Sequence, residues 1–215
     1  MKLTAVALAI SIIGLTSTAA GAESLPVVQS VSSSQNQVEY RLDAWESLLQ
    51  RLKSAAPGVL LEEVNSFFNS LTFRSDWKAW GKEDYWASPD EFLRRGIGDC
   101  EDYAIAKYVS LRRMGFDDRR LRLAYVRALN LGQAHMVLLV ETEDGKQIVL
   151  DNLTSSLKSL SERSDLAPVY AFNGTDLWLL DKEYNERRIG QSSRLPHWKS
   201  LKNRSNHAIW PQSES

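Results

Sequence analysis

Three residue types in this chain could together perform acyl-transfer chemistry: a thiol, an imidazole and a carboxylate. Cys100 is the only cysteine of the 215 residues, His135 begins an apolar run, and Asp151 ends the next one. A thiol activated by an imidazole that a carboxylate orients is a general arrangement for nucleophilic catalysis. The sequence therefore predicts a Cys100–His135–Asp151 triad, with Asn152 as a weaker alternative to Asp151 as the orienting group.

The thiol lies in the segment Gly98-Asp99-Cys100-Glu101-Asp102, at the predicted start of a helix. Backbone N–H groups and the positive end of the helix dipole favour a thiolate there and could hold an oxyanion. The three flanking acids act in the opposite direction, because nearby negative charge raises the pKa of a thiol. A nucleophile at this position therefore needs a nearby imidazolium or a bound cation. The alternative is that Cys100 is a small buried apolar residue, as most free cysteines are.

The turn between the two apolar runs decides whether His135 and Asp151 can meet. A two-residue Asp144-Gly145 loop would turn Asp151 away from His135. A three-residue Glu143-Asp144-Gly145 loop, with Gly145 left-handed, pairs Asp151 with Val137 instead. His135 is then a diagonal neighbour on the same face, at about 7–8 Å between backbones. The triad requires this three-residue turn, and we predict it.

The elements that must position these residues change character along the chain. Two amphipathic helices come first, Ser88 caps a short third helix with Pro89 at its first position, and a longer helix follows over residues 100–114. The period then becomes that of strands, predicted at residues 121–127, 134–142, 146–150, 169–172 and 176–180. Helices first and strands afterwards indicate an α+β fold, with the nucleophile at a helix N-terminus packed on an antiparallel sheet.

The two ends of the chain differ from this central part. Residues 1–22 have the layout of a secretory signal peptide, which predicts export to a periplasm, with a retained membrane anchor as the alternative. We expect a flexible leader over residues 23–37, a protease domain over 38–190 and a polar basic tail over 191–215. The formal net charge of −1 does not indicate a nucleic-acid partner. A single cysteine cannot form an internal disulfide in an oxidising compartment.

Several runs of the sequence resemble one known family. They are Tyr85-Trp86-Ala87-Ser88-Pro89-Asp90-Glu91-Phe92, the run GDCEDYAIAK that begins at Gly98, Ala134-His135-Met136-Val137-Leu138, Leu150-Asp151-Asn152 and Asp176-Leu177-Trp178. Together they resemble the bacterial transglutaminase-like cysteine proteinases of the LapG type over roughly residues 40–190. The resemblance implies a papain/transglutaminase-like fold and the Cys100–His135–Asp151 triad.

The same resemblance implies a cofactor and partners. It implies calcium dependence, with Asp99 and Glu101 as ligands and Asp102 as a less secure third ligand. Clustered carboxylates suit Ca²⁺, and a bound cation would offset the acids around Cys100. The implied substrate is the N-terminal region of a large surface adhesin, whose cleavage releases biofilm cells. The implied regulator is an inner-membrane receptor that senses cyclic-di-GMP.

Two other functions remain open at this level. A transglutaminase would form the same thioester at Cys100 but pass it to an amine. A calcium-binding periplasmic interaction module would hold a partner through the aromatic stretch around Trp77 and Trp86 and through the basic tail, without catalysis.

Overall fold

We describe a computed structural model of the protein, which covers the backbone of residues 25–205 and the side chains of residues 34–205. The predicted signal peptide, residues 1–22, lies outside this range. Within it, the α-helices are α1 (Leu25–Leu52), α2 (Pro57–Asn69), α3 (Asp76–Trp80), α4 (Pro89–Arg95), α5 (Cys100–Arg113) and α6 (Pro196–Arg204). None of the described helices is both long and apolar enough to cross a membrane.

The strands form one large and one small sheet. They are β1 (Thr72–Phe73), β2 (Ile97–Gly98), β3 (Leu121–Ala128), β4 (Gln133–Glu141), β5 (Gln147–Leu150), β6 (Lys158–Ser159), β7 (Leu166–Phe172), β8 (Asp176–Leu180) and β9 (Glu186–Gln191). The large sheet is antiparallel, in the order β6-β5-β4-β3-β7-β8-β9, and β1 pairs with β2 in parallel. Helices α1–α5 precede the large sheet along the chain and only α6 of the described helices follows it, so the predicted α+β class is confirmed.

Helix α5 packs on one face of the large sheet. Its Ile105 shares a fully buried cluster with Met136 and Leu138 of β4. The intervening residues of β4, including Val137, belong to a second cluster on the opposite face. This alternation follows from the two-residue period of a strand, and it makes β4 a central strand that is buried on both sides.

Local signals read from the sequence set the entrance to α5. Ser88 caps α4: its Oγ accepts a hydrogen bond from the N–H of Glu91, and the Glu91 carboxylate accepts one from the N–H of Ser88. This reciprocal capping fixes the first turn of the helix. Gly96, with φ 71°, ends α4 in the left-handed region. The chain then passes through β2 directly into α5, so Cys100 lies at a tightly defined position.

The structure differs from the sequence expectation in two terminal segments. Residues 25–37, expected as a flexible leader, are the first part of α1. Between Leu25 and Leu52 the only Pro is in the first turn and there is no Gly, so a helix that is anchored through buried Trp45 and Leu48 can propagate toward the N-terminus. Helix propagation adds one hydrogen bond for each further residue, whereas nucleation is the costly step.

The second difference concerns the expected polar tail from residue 191. Part of it forms α6, whose Trp198 and Leu201 are fully buried, both 0% exposed. The Trp198 ring packs edge-on against Phe172 of β7 at 5.1 Å and against Tyr108 of α5 at 5.8 Å between centroids. Two apolar residues three positions apart are enough to bury one helix face, although the surrounding composition is basic. The folded part of the chain therefore extends beyond residue 190.

Candidate active site

His135 and Asp151 form a buried pair at the end of β4 and β5. The imidazole Nε2 lies 2.8 Å from Asp151 Oδ1, and the two residues are 2% and 1% exposed. The register pairs Leu138 with Leu150, so one further step places Val137 opposite Asp151. The predicted register is therefore confirmed, and the two side chains meet across the strands.

The turn that sets this register has the predicted length. The N–H of Thr142 donates to the carbonyl of Lys146 at 2.8 Å, which leaves a loop of Glu143, Asp144 and Gly145. Gly145 has φ 79°, in the left-handed region that glycine enters without steric cost. A register shifted by one residue would move the Asp151 side chain to the other face of the sheet.

Cys100 is the first residue of α5, and the path of the backbone that leads to it depends on Gly98, two positions earlier. A Cβ atom on Gly98 would lie 2.2 Å from Asp102 Oδ2 and 2.8 Å from the Phe92 ring. Only glycine fits this contact between the chain entering α5 and the first turn of the helix. The thiol lies 2.9 Å from Glu101 Oε2.

The thiol also receives a hydrogen bond from the backbone N–H of Met136. Because Met136 directly follows His135, this contact puts Cys100 next to the strand that carries the imidazole. His135 and Asp151 have the alternation phase of Val137, which lies on the face opposite to α5. Strand β5 ends at Leu150, so Asp151 and the imidazole it contacts lie at the end of the sheet, beside the residue whose N–H faces the thiol.

The surroundings of Cys100 favour the neutral thiol in the absence of other charges. Burial is the largest effect and raises its pKa well above the ordinary value, and the negative charges of Glu101 and Asp99 act in the same direction. The Met136 N–H opposes this shift. The concern raised by the sequence is thus confirmed, and a positive charge near the thiol is required to generate the thiolate.

The Asp151 carboxylate is held ionised by several partners. Burial opposes its ionisation, but the contact with His135, the hydrogen bond from the backbone N–H of Leu153 and the ion pair with Arg163 outweigh burial and lower its pKa to about 2. Arg163 Nη2 lies 2.8 Å from Asp151 Oδ2, on the side away from the imidazole. Arg163 could not be predicted from the sequence, because no local motif relates it to Asp151.

A buried polar chain links α5 to the segment of Asp151. Lys107 is fully buried, and its Nζ donates to Asn65 Oδ1 at 2.8 Å and to Asn69 Oδ1 at 2.7 Å. The Asn69 amide donates to the carbonyl oxygens of Asp151 at 2.8 Å and of Thr154 at 3.2 Å. Burial lowers the pKa of Lys107 to about 7, although the Asp151 charge opposes this shift. The helix that carries the thiol and the loop that carries the carboxylate are thus fixed to each other.

Next to the thiol, three carboxylates converge. Oxygens of Asp76, Asp99 and Asp102 lie within 4.8 Å of one another, which is a geometry that could hold a metal ion. Asp99 and Asp102 were predicted as ligands, whereas Asp76 was not. The predicted ligand Glu101 is not part of this cluster, because its carboxylate lies against the Cys100 thiol instead.

Two oxygens of this acidic cluster fit a cation. Asp76 Oδ1 and Asp99 Oδ1 are buried and have no hydrogen-bond partner, which is unfavourable for a carboxylate unless a cation completes it. Burial is the largest effect that raises the pKa of Asp76 to about 7 and that of Asp99 to about 8. Carboxylate oxygens are the ligands that Ca²⁺ prefers. The donor set therefore fits the calcium that the sequence resemblance implies.

Comparison with known proteins places this site in a family. The sequence profile of the bacterial transglutaminase-like cysteine proteinases matches residues 32–166. The chain belongs to this family. As such a proteinase, it has the predicted papain/transglutaminase-like architecture, which its solved structural neighbours confirm.

These neighbours of the proteinase are structures of LapG from Legionella pneumophila, each 38% identical to it in sequence. The EGTA-treated form has a TM-score of 0.70 and covers 83% of this chain and 96% of its own. The calcium-bound form has a TM-score of 0.68 and covers 83% and 98%. No match appears among the curated proteins.

Proposed function

We propose that the protein is a calcium-dependent cysteine endoprotease with the triad Cys100–His135–Asp151. The observation that carries this proposal is the buried 2.8 Å contact between His135 and Asp151, one residue from the N–H group that bonds the Cys100 thiol. Membership of the cysteine proteinase family supports it. A buried imidazole that a carboxylate orients next to a thiol is suited to general acid–base catalysis.

In the proposed mechanism, each triad residue has a defined role. Because an ionised carboxylate can only accept hydrogen bonds, the Nε2 of neutral His135 carries the proton toward Asp151, and Nδ1 takes the thiol proton. The Cys100 sulfur then attacks the peptide carbonyl carbon and forms a thioester, while His135 returns the proton to the leaving amine. Water hydrolyses the thioester, with His135 as its base. The Cys100 N–H, at the start of α5, is our candidate for stabilising the oxyanion.

Calcium would be held by Asp76, Asp99 and Asp102, and Glu101 is close enough in sequence to be recruited. When bound, the ion supplies positive charge that offsets the acids around the thiol. The acidic cluster and the calcium-bound form of Legionella pneumophila LapG support this assignment. The orientation of Asp151 and the close contact at Gly98 depend on the protein's own side chains and do not involve the ion.

For the biological setting, we propose the periplasm, the N-terminal region of a large surface adhesin as substrate, control of biofilm release as the outcome, and an inner-membrane cyclic-di-GMP receptor as regulator. The layout of residues 1–22 supports export. The sequence resemblance to the LapG-type proteinases implies the other elements of this setting.

The test is cleavage of the N-terminal fragment of an adhesin encoded in the same genome, with calcium, with EGTA and with Cys100→Ala. One discrete cut that both EGTA and Cys100→Ala abolish supports the proposal. If an intact fragment is recovered in every lane from a folded protein, the protease function is wrong and a binding role replaces it. Incorporation of an amine into a glutamine-containing protein without cleavage would instead indicate a transglutaminase.

A further inference from the structure

Arg163 is a buried cation that contacts two carboxylates at once. It follows a short 3₁₀ turn, Leu160–Glu162, and its side chain is only 3% exposed. The Nη2 atom lies 2.8 Å from Asp151 Oδ2 and donates to Asp165 Oδ2 at 2.9 Å, while Nε donates to Asp165 Oδ1 at 2.8 Å. A planar guanidinium that grips one carboxylate with two parallel bonds is held in a fixed orientation.

The two oxygens of Asp151 are consequently used by different partners. Oδ1 contacts His135 Nε2 at 2.8 Å and accepts from the Leu153 N–H at 2.9 Å, whereas Oδ2 faces Arg163. The Oδ2 contact with Arg163 is an ion pair without hydrogen-bond geometry, and rotation about the Cβ–Cγ bond would break it together with the contacts of Oδ1. Asp165 holds Arg163, Arg163 holds Asp151, and Asp151 holds the imidazole.

We propose that Arg163 is a positioning residue of the catalytic centre, which fixes the Asp151 carboxylate plane so that His135 keeps the tautomer and orientation needed at Cys100. This inference rests on the proposed function, because it assigns a role relative to that triad. Arg163 acts through Asp151 and does not contact the thiol. Partners of this kind, one contact removed from the reacting groups, typically contribute about 10–100-fold to activity in metal sites, where they have been measured.

Arg163 could instead have a purely structural role. A structural role and a positioning role predict different effects of replacing Arg163, so an experiment can distinguish them. If Arg163 only fills and neutralises the interior, its replacement affects the enzyme equally whether residue 151 is Asp or Asn. If it acts by orienting the carboxylate, its replacement has little further effect once Asp151 is changed to Asn. Energetic coupling between two residues that act as one unit is the signature of the second case.

The experiment is a double-mutant cycle of Arg163→Gln and Asp151→Asn, read by two measurements. One is the single-turnover cleavage rate of the adhesin fragment in calcium. The other is the tautomer of the His135 ring from ¹⁵N NMR, which does not depend on proteolysis; the chain has three histidines, so His135→Ala assigns the signal. Arg187→Gln is the matched control, because Arg187 is exposed on β9.

We expect neutral His135 to be protonated at Nε2 in the wild type and in Arg187→Gln. In Arg163→Gln we expect a mixture of tautomers and a cleavage rate about 10–100-fold lower. The double mutant should cleave at most about threefold slower than Asp151→Asn alone. So small a further loss would show that the effects of the two substitutions are not additive and that the two residues act as one unit. A wild-type tautomer and rate in Arg163→Gln, or equal losses in both backgrounds, would overturn the inference.

Two further variants keep the result interpretable if Arg163→Gln folds poorly. Arg163→Lys keeps the charge but cannot grip Asp165 with two parallel bonds, so we expect it to fold and still to show mixed tautomers. Arg163 also lines a cavity of about 730 Å³ with Ser159, Ser161 and Tyr184, so millimolar guanidinium should reach Arg163→Ala and raise its cleavage rate. A wild-type tautomer in Arg163→Lys, together with no effect of guanidinium, would contradict the positioning role.

The same data separate this inference from the proposed function. If Asp151→Asn changes neither the His135 tautomer nor cleavage, the triad itself is wrong and Arg163 has no catalytic centre to position. If Asp151→Asn lowers cleavage but Arg163→Gln does not, only the role of Arg163 is wrong. If the two substitutions have coupled effects on the His135 tautomer but no variant or wild type cuts the fragment, the positioning role is supported and the protease function is wrong.

Discussion

Lys107 Nζ donates to Asn69 Oδ1 at 2.7 Å, and the same Asn69 holds the carbonyl oxygen of Asp151 at 2.8 Å. Two residues of α5 therefore serve the site in different ways: Cys100 carries the thiol, and Lys107, two turns later, anchors the carboxylate loop. A lysine that is fully buried has a measurable consequence for stability, because its charge is costly in the interior.

We predict that Lys107 makes stability rise with pH above neutrality. Burial lowers its pKa from the ordinary 10.5 to about 7 in the folded protein. Between these two values the unfolded chain binds more protons than the folded one, so the free energy of unfolding increases with pH, by up to about 1.4 kcal/mol per pH unit. Below pH 7 the lysine is charged in both states, and this contribution to the slope disappears.

Urea denaturation of the wild type and of Lys107→Met at several pH values tests the predicted rise of stability with pH. The difference in unfolding free energy, wild type minus variant, should grow from pH 7 to pH 9. Lys53→Met, at an exposed lysine, should run parallel to the wild type. Parallel curves for Lys107→Met as well would show that Lys107 does not titrate in this window.

Asp76→Asn should weaken calcium binding by at least about tenfold, because calcium affinity depends on the number of charged ligands. The wild type should gain about 2.7 kcal/mol of stability at calcium concentrations 100-fold above the dissociation constant. Calorimetric titration with calcium and melting temperatures with and without EGTA measure both effects.

The control for this substitution is Glu62→Gln, which changes the charge equally at an exposed position of α2. It should bind calcium as the wild type does. Unchanged affinity in Asp76→Asn would place the ion elsewhere and leave the unpartnered Asp76 oxygen unexplained.

Gly145→Val should destabilise the β4–β5 hairpin, because the left-handed backbone at φ 79° brings a side chain into steric conflict. The expected loss is about 1–2 kcal/mol. Gly145→Asn should lose less, since Asn tolerates this conformation. Urea denaturation measures the loss, and the cleavage assay shows whether Asp151 keeps its register. Equal stability of all three proteins would mean that the turn does not hold this geometry in solution.

Trp198→Ala should cost about 3–5 kcal/mol of stability, as removal of a fully buried large aromatic side chain generally does. Thermal and urea unfolding measure it, and Lys199→Ala, at the exposed neighbour on the same helix, should change little. A similar small effect in both variants would restore the expectation of a solvated tail after residue 190.

The sequence by itself determined those parts of the site that depend on local rules. The Ser88 cap, the start of α5 at Cys100 and the three-residue turn follow from residue types over a few positions. Because side chains alternate along a strand, the turn length was enough to place Asp151 opposite Val137 and on the same face as His135. These features could be predicted because each is a property of neighbouring residues.

Only the tertiary structure decided which distant groups complete the site. Asp76 joins Asp99 and Asp102 because β1 pairs with β2. Arg163 reaches Asp151 because β6 pairs with β5 and a 3₁₀ turn leads from β6 to Arg163. Both are long-range contacts whose partners have no characteristic spacing. The face occupied by the imidazole, the position of Glu101 on the thiol and the burial of Trp198 are likewise results of packing, since burial depends on what the rest of the chain places opposite each residue.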